Sequence, residues 1–157
     1  MNEILMLILL TLVPALELRA SIPYGILIAN LNWFSVFLIC VIANAILGPV
    51  VFIIIDKFIH LFQRIKAFDR LWTKIIERTQ RKIHKYVEKY GIFGLSIFIG
   101  IPLPGSGSYT GAVGAYLLGF KLKKFIIANI IGVLIAGTIV TLIVLTGGEM
   151  FRIFLKI

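Results

Sequence analysis

Apolar residues run along this chain in four long stretches, parted by one basic segment and a few short polar breaks. Two stretches, Trp33 to Ile55 and Phe125 to Thr146, match the roughly 20 residues that carry an α-helix across a hydrocarbon core of about 30 Å. Neither holds a charged residue. The other two, Ile4 to Leu31 and Ile92 to Phe120, are too long for one span and too short for two spans and a turn. Each is broken near its middle, at Pro14-Ala-Leu-Glu-Leu-Arg-Ala-Ser-Ile-Pro23 and at Pro102-Leu-Pro-Gly-Ser-Gly-Ser-Tyr-Thr-Gly111. Proline lacks a backbone donor and disfavours the helical conformation in the residue before it, so neither stretch is one continuous helix. The pattern predicts helical hairpins over 4–31 and 92–120 that enter the bilayer, turn near mid-depth and leave by the same face. Non-helical backbone at that depth must be covered by protein or line a wet cavity, which places both breaks in the interior.

The two halves repeat the same order of elements. A shift of 85 positions lays Glu3 on Glu88, Tyr24 on Tyr109 and Ala43-Asn44 on Ala128-Asn129. A hairpin plus one span crosses the bilayer an odd number of times, so two copies joined on one side have opposite orientation. The expected fold is an all-α integral membrane protein of two inverted-topology repeats. Residues 1–55 hold hairpin 4–31 and span 33–55; residues 91–157 hold hairpin 92–120, span 125–146 and a short tail; residues 56–90 are a helical connector. Within the connector, apolar residues recur in steps of three or four at Phe58, Phe62, Ile65, Phe68, Trp72, Ile75, Ile83, Tyr86 and Tyr90, with one gap where Thr79 fills the register, the pattern of an amphipathic helix. Asp69 is placed to cap a second segment after a break near Ala67. Two uses of its apolar face stay open, the inner headgroup layer and a partner subunit.

Composition and charge sharpen this picture. With 157 residues, 60% hydrophobic and 15% charged, the chain lacks the polar surface of an ordinary soluble enzyme. Ten of its sixteen Lys and Arg lie between Asp56 and Tyr90, and three more form the cluster Lys121, Lys123, Lys124. Short basic segments stay in the cytoplasm, which predicts a multi-pass protein of the cell membrane with residues 56–90 and 121–124 inside and both chain ends outside. Wedged between membrane segments, the basic run suits anionic lipid headgroups better than nucleic acid. Met1-Asn2-Glu3 offers no basic start for a signal peptide, so the N-terminus reads as mature structure. Cys40 reads as a small apolar side chain within a span. Trp33 suits the outer interface and Trp72 the inner one. His60 and His84 fall on the connector, and Glu149 and Arg152 at an outer edge.

The candidate chemistry lies in the breaks. Glu17 and Arg19 sit inside an apolar hairpin, where an ionisable group costs about 2.5–3.5 kcal/mol on insertion scales. One reading is a salt bridge, mutual or between repeats, that pins the hairpin tip. The other is that Arg19 holds an anionic group while Glu17 takes or releases a proton in step. Two residues apart, the pair faces opposite ways on a helix and converges only in a loop. The second break offers close-approach glycines Gly105, Gly107 and Gly111, hydroxyls at Ser106, Ser108, Tyr109 and Thr110, and free amides where the next half-helix begins, an arrangement suited to an anion. Its competing reading is that small residues permit tight packing. No Gly-Lys-Ser/Thr follows, so it is not a nucleotide loop. The candidate substrate or proton site therefore comprises Glu17, Arg19, Pro23, Pro102, Pro104, Gly105, Ser106, Gly107, Ser108, Tyr109, Thr110 and Gly111. Asn44 and Asn129 read as interhelical hydrogen-bonding residues in the spans. No His, Cys or carboxylate cluster has metal spacing, no nucleophile has an evident base, and no cofactor is implied.

Pro14 to Gly25, taken with Ile101 to Gly111 and Ala115 to Gly119, resembles the small multidrug export protein family, which is similar in turn to the wider DedA/VTT membrane superfamily. The resemblance covers essentially the whole chain. It implies two inverted repeats, each a re-entrant hairpin and a span, and movement of lipids across the bilayer, including polyprenyl-phosphate carriers and phospholipids. The second hairpin lacks the arginines that the better characterised branch carries after its proline-glycine motif, so anion handling rests on Arg19, backbone amides and hydroxyls. The expected function is a transporter or flippase for an amphipathic anion such as a lipid phosphate, proton-coupled, working as a homodimer because two spans are few for a path. The alternatives are a small-molecule or ion exporter and a non-transporting membrane structural or assembly protein.

Overall fold

The computed structural model describes residues 3–14, 16–62, 90–102 and 106–154. Its described elements are helical. Helix α1 (Glu3–Leu12) is followed by α2 (Glu17–Pro23), which runs into one π-helical turn (Tyr24–Ile28), and then by the long α3 (Trp33–Phe62). The second half repeats short, short, long as α4 (Tyr90–Gly100), α5 (Ser108–Leu117) and α6 (Leu122–Phe154). Both long helices outrun the spans expected from hydropathy, by seven residues beyond Ile55 and eight beyond Thr146. The reason is that a helix leaving the core needs no apolar side chains to continue, so α3 runs on through Asp56 and Lys57. The connector's proposed break near Ala67–Asp69, with Trp72 and His84, lies outside the described residues.

Helices α3 and α6 pack antiparallel. Phe52 stacks on Phe125 with ring centroids 5.1 Å apart, Asn129 Nδ2 donates to the Ala45 carbonyl at 3.2 Å, and a side chain at Gly137 would meet Val41 at 2.8 Å. Position along one helix thus falls as position along the other rises. Lys57 and the Lys121, Lys123, Lys124 cluster lie at the same end of the pair, as the charge pattern requires of segments sharing one side of a membrane.

Pro49 sits within α3 and explains one of these contacts. Having no N–H, it leaves the carbonyl four residues back, Ala45, without its helical partner. The Asn129 amide supplies that bond from α6. Gly48 makes room for it, because a Cβ there would lie 2.5 Å from Asn129 Nδ2.

The short helices form two hairpins laid against this pair. In the first, Thr11 Oγ1 is 2.8 Å from Ser21 Oγ near the turn, while Tyr24 Oη donates to Glu3 at 2.9 Å at the open end. Gly25 packs on Leu7 and Val36, which sets the open end beside the start of α3. In the second hairpin, Tyr116 packs on Phe52 and is hydrogen-bonded to Asp56, which sets that open end beside the close of α3. Ile99 of α4 packs on Gly111 of α5 and Gly132 of α6. The hairpins therefore approach from opposite ends of the long pair and meet at its middle. Their meeting level is Asn44, eleven residues from one end of the apolar stretch Trp33–Ile59 and fifteen from the other, about 17 and 23 Å of helix.

What covers the outside is apolar. Only 33% and 44% of the most hydrophobic windows of α3 and α6 are buried within the protein. Leu38, Ile42, Ile46 and Val50 form an outward ridge on α3, with Ile46 60% exposed. In water such a ridge would be a large unpaid apolar surface, whereas in a bilayer it meets acyl chains. The core is Leu18, Ile22, Val36, Cys40, Ile99, Phe125, Ala128 and Val133, drawn from both hairpins and both long helices.

Candidate functional site

Glu17 opens α2 with φ +47, a left-handed backbone that a non-glycine residue adopts only at a cost of about 1–3 kcal/mol. That conformation sends its carboxylate across to the second hairpin. Oε2 accepts the Ser108 backbone N–H at 3.1 Å and Asn44 Nδ2 at 3.2 Å, and Oε1 accepts the Tyr109 N–H at 3.2 Å. The carboxylate thus caps α5 from another element, satisfying amides at the positive end of that helix. It is 4% exposed. Gly107 makes the approach possible: its φ is +147, and a Cβ on it would lie 2.6 Å from Glu17 Oε2.

Arg19 reaches the same tip by a different route. Nη2 donates to the Ile101 carbonyl at 3.2 Å and to Ser106 Oγ at 2.9 Å, while Ser106 Oγ–H donates to that carbonyl at 2.6 Å. The reach is returned by Tyr109, whose Oη donates to the Leu12 carbonyl at 2.6 Å. Glu17 and Arg19 lie on the first turn of α2, not in a loop, and make these bonds separately. Among the described residues no ion pair joins them. Nε and Nη1 of Arg19 have no partner among the described residues, which leaves three N–H donors of a partly buried guanidinium uncommitted.

Six of the residues marked in the sequence come together here: Glu17, Arg19, Ser106, Gly107, Ser108 and Tyr109. Others do not. Pro23 closes α2 at the far end from the turn and lies within the helix, directly before the π turn. Pro102 follows the Ile101 carbonyl that Arg19 binds. Thr110 is exposed and turns its hydroxyl back to the Gly107 carbonyl at 3.4 Å. Gly111 is a packing position against Ile99. Pro104 and Gly105 lie outside the described residues. Asn44, read from the sequence as an interhelical hydrogen-bonding residue, bonds Glu17 directly, so it belongs to the site. Asn44 Oδ1 and Ser108 Oγ are buried there without partners among the described residues. No group of metal-ligating side chains occurs among the described residues.

A pair of long, outward-apolar helices enclosing a charged, hydrogen-bonded junction at half their length defines an integral membrane protein with a polar site in its interior. Residues 17–139 match the family described as "Putative small multi-drug export protein", and the chain belongs to that family. The match begins at Glu17 itself. No curated protein and no solved structure matches the chain.

Proposed function

We propose that this protein is a transporter that moves an amphipathic anion, with a lipid phosphate as the leading candidate, through a midplane site between two re-entrant hairpins of opposite orientation. The observation that carries the reading is Arg19: a guanidinium at mid-depth, at the meeting of the two tips, with Nε and Nη1 unpaired among the described residues. A partly buried cation with open donors inside a membrane protein favours an anionic partner, and a guanidinium fork suits phosphate and carboxylate. The strained backbone of Glu17 supports the same view, because such outliers concentrate where function needs them. Antiparallel long helices and hairpins from opposite ends support the inverted arrangement, and the apolar flank gives an acyl chain room beside a polar head. The resemblance to the DedA/VTT superfamily points the same way. In this reading the connector is cytoplasmic, Glu17 carries a proton, and two copies associate along the outward apolar faces.

A small-molecule exporter is the second reading, favoured by the family's description. Flux through reconstituted vesicles tests both, using a labelled anionic phospholipid in one arm and a labelled water-soluble organic anion in the other. Wild type, Glu17→Gln, Arg19→Gln and the Glu17→Leu/Arg19→Met double variant are compared alongside thermal stability. The expected result is a double variant that folds yet moves no anion. A stable double variant with wild-type flux would overturn the site and favour a purely structural pair.

A further inference from the structure

The seat at the start of α5 is already occupied. Two backbone amides, the positive end of a ten-residue helix and the space left by Gly107 hold a carboxylate, and that carboxylate belongs to the protein. Beside it stand the fully buried Ser108 Oγ and the Arg19 Nε and Nη1 donors, none of which has a partner among the described residues. The site is thus built for one anion more than the chain itself can place there. We infer that the α5 amide cradle is the seat of the substrate's anionic head and that Glu17 is its internal competitor, so that a seated Glu17 carboxylate and a bound anion exclude each other. This rests on the transport reading and fixes the sign of its coupling.

Protonation of Glu17 removes the charge that holds it on the amides, because a neutral carboxylic acid is a weaker acceptor than a carboxylate. The acid then swings off, the amides and the Arg19 donors are freed, and an anion takes its place. A proton on Glu17 and an anion on the cradle are therefore taken up together, with no net change of charge. The groups facing Glu17 are Arg19 on its own helix, Asn44 on α3, and Ser108 and Tyr109 on α5. Of these only Arg19 carries charge near neutral pH, and it attracts both competing anions. Proton-driven export by exchange requires the opposite sign, a site that binds proton or cargo in turn. The linkage consequently separates recovery of an anion down the proton gradient from exchange-driven export.

The test uses the intact protein in lipid nanodiscs and a fluorescent alkyl sulfonate, whose own charge does not change with pH. By one-proton linkage its affinity should fall about tenfold per pH unit once Glu17 is ionised. In Glu17→Gln the profile should be flat and binding tighter at high pH; in Arg19→Gln binding should weaken at every pH with the slope retained. A second measurement needs no variant: adding the sulfonate to wild type in weak buffer should draw about one proton per anion bound. A flat wild-type profile, a slope that survives Glu17→Gln, or binding without proton uptake overturns the inference. Arg19-dependent flux without proton uptake would leave the transport reading standing and remove this one. Proton-linked binding without flux would do the reverse.

Discussion

Gly107→Ala adds one methyl group at the point where the two hairpins touch. Its Cβ would lie 2.6 and 2.8 Å from the two carboxylate oxygens of Glu17, and alanine would have to hold φ +147. The carboxylate must retreat, weakening two charge-assisted bonds from the Ser108 and Tyr109 amides, each contributing about 1.5–3 kcal/mol. The backbone conformation adds about 1–3 kcal/mol for any residue with a side chain. Since partial retreat keeps some of the bonding, the expected loss is about 3 kcal/mol, which for a chain of this size lowers Tm by about 6–12 °C. Gly114→Ala is the matched control, because that position also lies on α5 but has open space around it and an ordinary φ. Alanine in a helix interior should gain about 0.5–1 kcal/mol there. Thermal unfolding in detergent, followed by the loss of monodisperse protein, measures both. If Gly107→Ala melts within about 2 °C of wild type, Glu17 is not seated on the α5 amides as described.

Two further predictions concern the frame. Asn129→Ala should cost about 1–3 kcal/mol by leaving the Ala45 carbonyl without a donor, and most of that loss should vanish in a Pro49→Ala background, where residue 49 regains the N–H that bonds Ala45; equal losses in both backgrounds would separate Asn129 from the proline. In a Cys40→Ala background, an impermeant thiol reagent applied to whole cells should label Asn32→Cys at once and Lys123→Cys only after permeabilisation; labelling of both from outside would break the opposite-end arrangement.

How far the sequence could be read depended on what each residue was being asked to do. The length ruler finds α3 and α6 because a hydrocarbon core imposes a minimum apolar run, but it misses their ends, where Asp56 and Lys57 continue the helix past the core. Pro14 and Pro102 mark true turns. Pro23 does not: its backbone stays helical, at φ -57 and ψ -42, and the chain runs on into a π turn. Glu17 and Arg19 stand out as ionisable residues in an apolar run, and the second break stands out beside them, yet nothing local says which residue of that break, or that Asn44 of α3, bonds which of the two. Spacing alone puts the two on opposite faces, but the left-handed backbone of Glu17 lets both reach the second tip, each bonded to a different part of it. The repeat placed Asn44 on Asn129 as interhelical hydrogen-bonding residues. Both do bond across helices, but one holds Glu17 and the other mends the gap at Pro49, a division that depends on Pro49 having no counterpart in α6. A proline four residues after a carbonyl near a facing asparagine is the sequence sign that could have foretold the second.

The central claim is that cargo passes between the two hairpin tips, which must therefore part. Leu12→Cys/Tyr109→Cys in a Cys40→Ala background places thiols on the two tips where the Tyr109 hydroxyl meets the Leu12 carbonyl. A short bis-thiosulfonate reagent bridges them and reduction releases them. Flux of labelled anionic lipid into reconstituted vesicles is then read in one preparation, before bridging, after bridging and after reduction. The account predicts that bridging stops flux and that reduction restores it to the starting rate of the same variant. Unchanged flux with the tips covalently joined would contradict it.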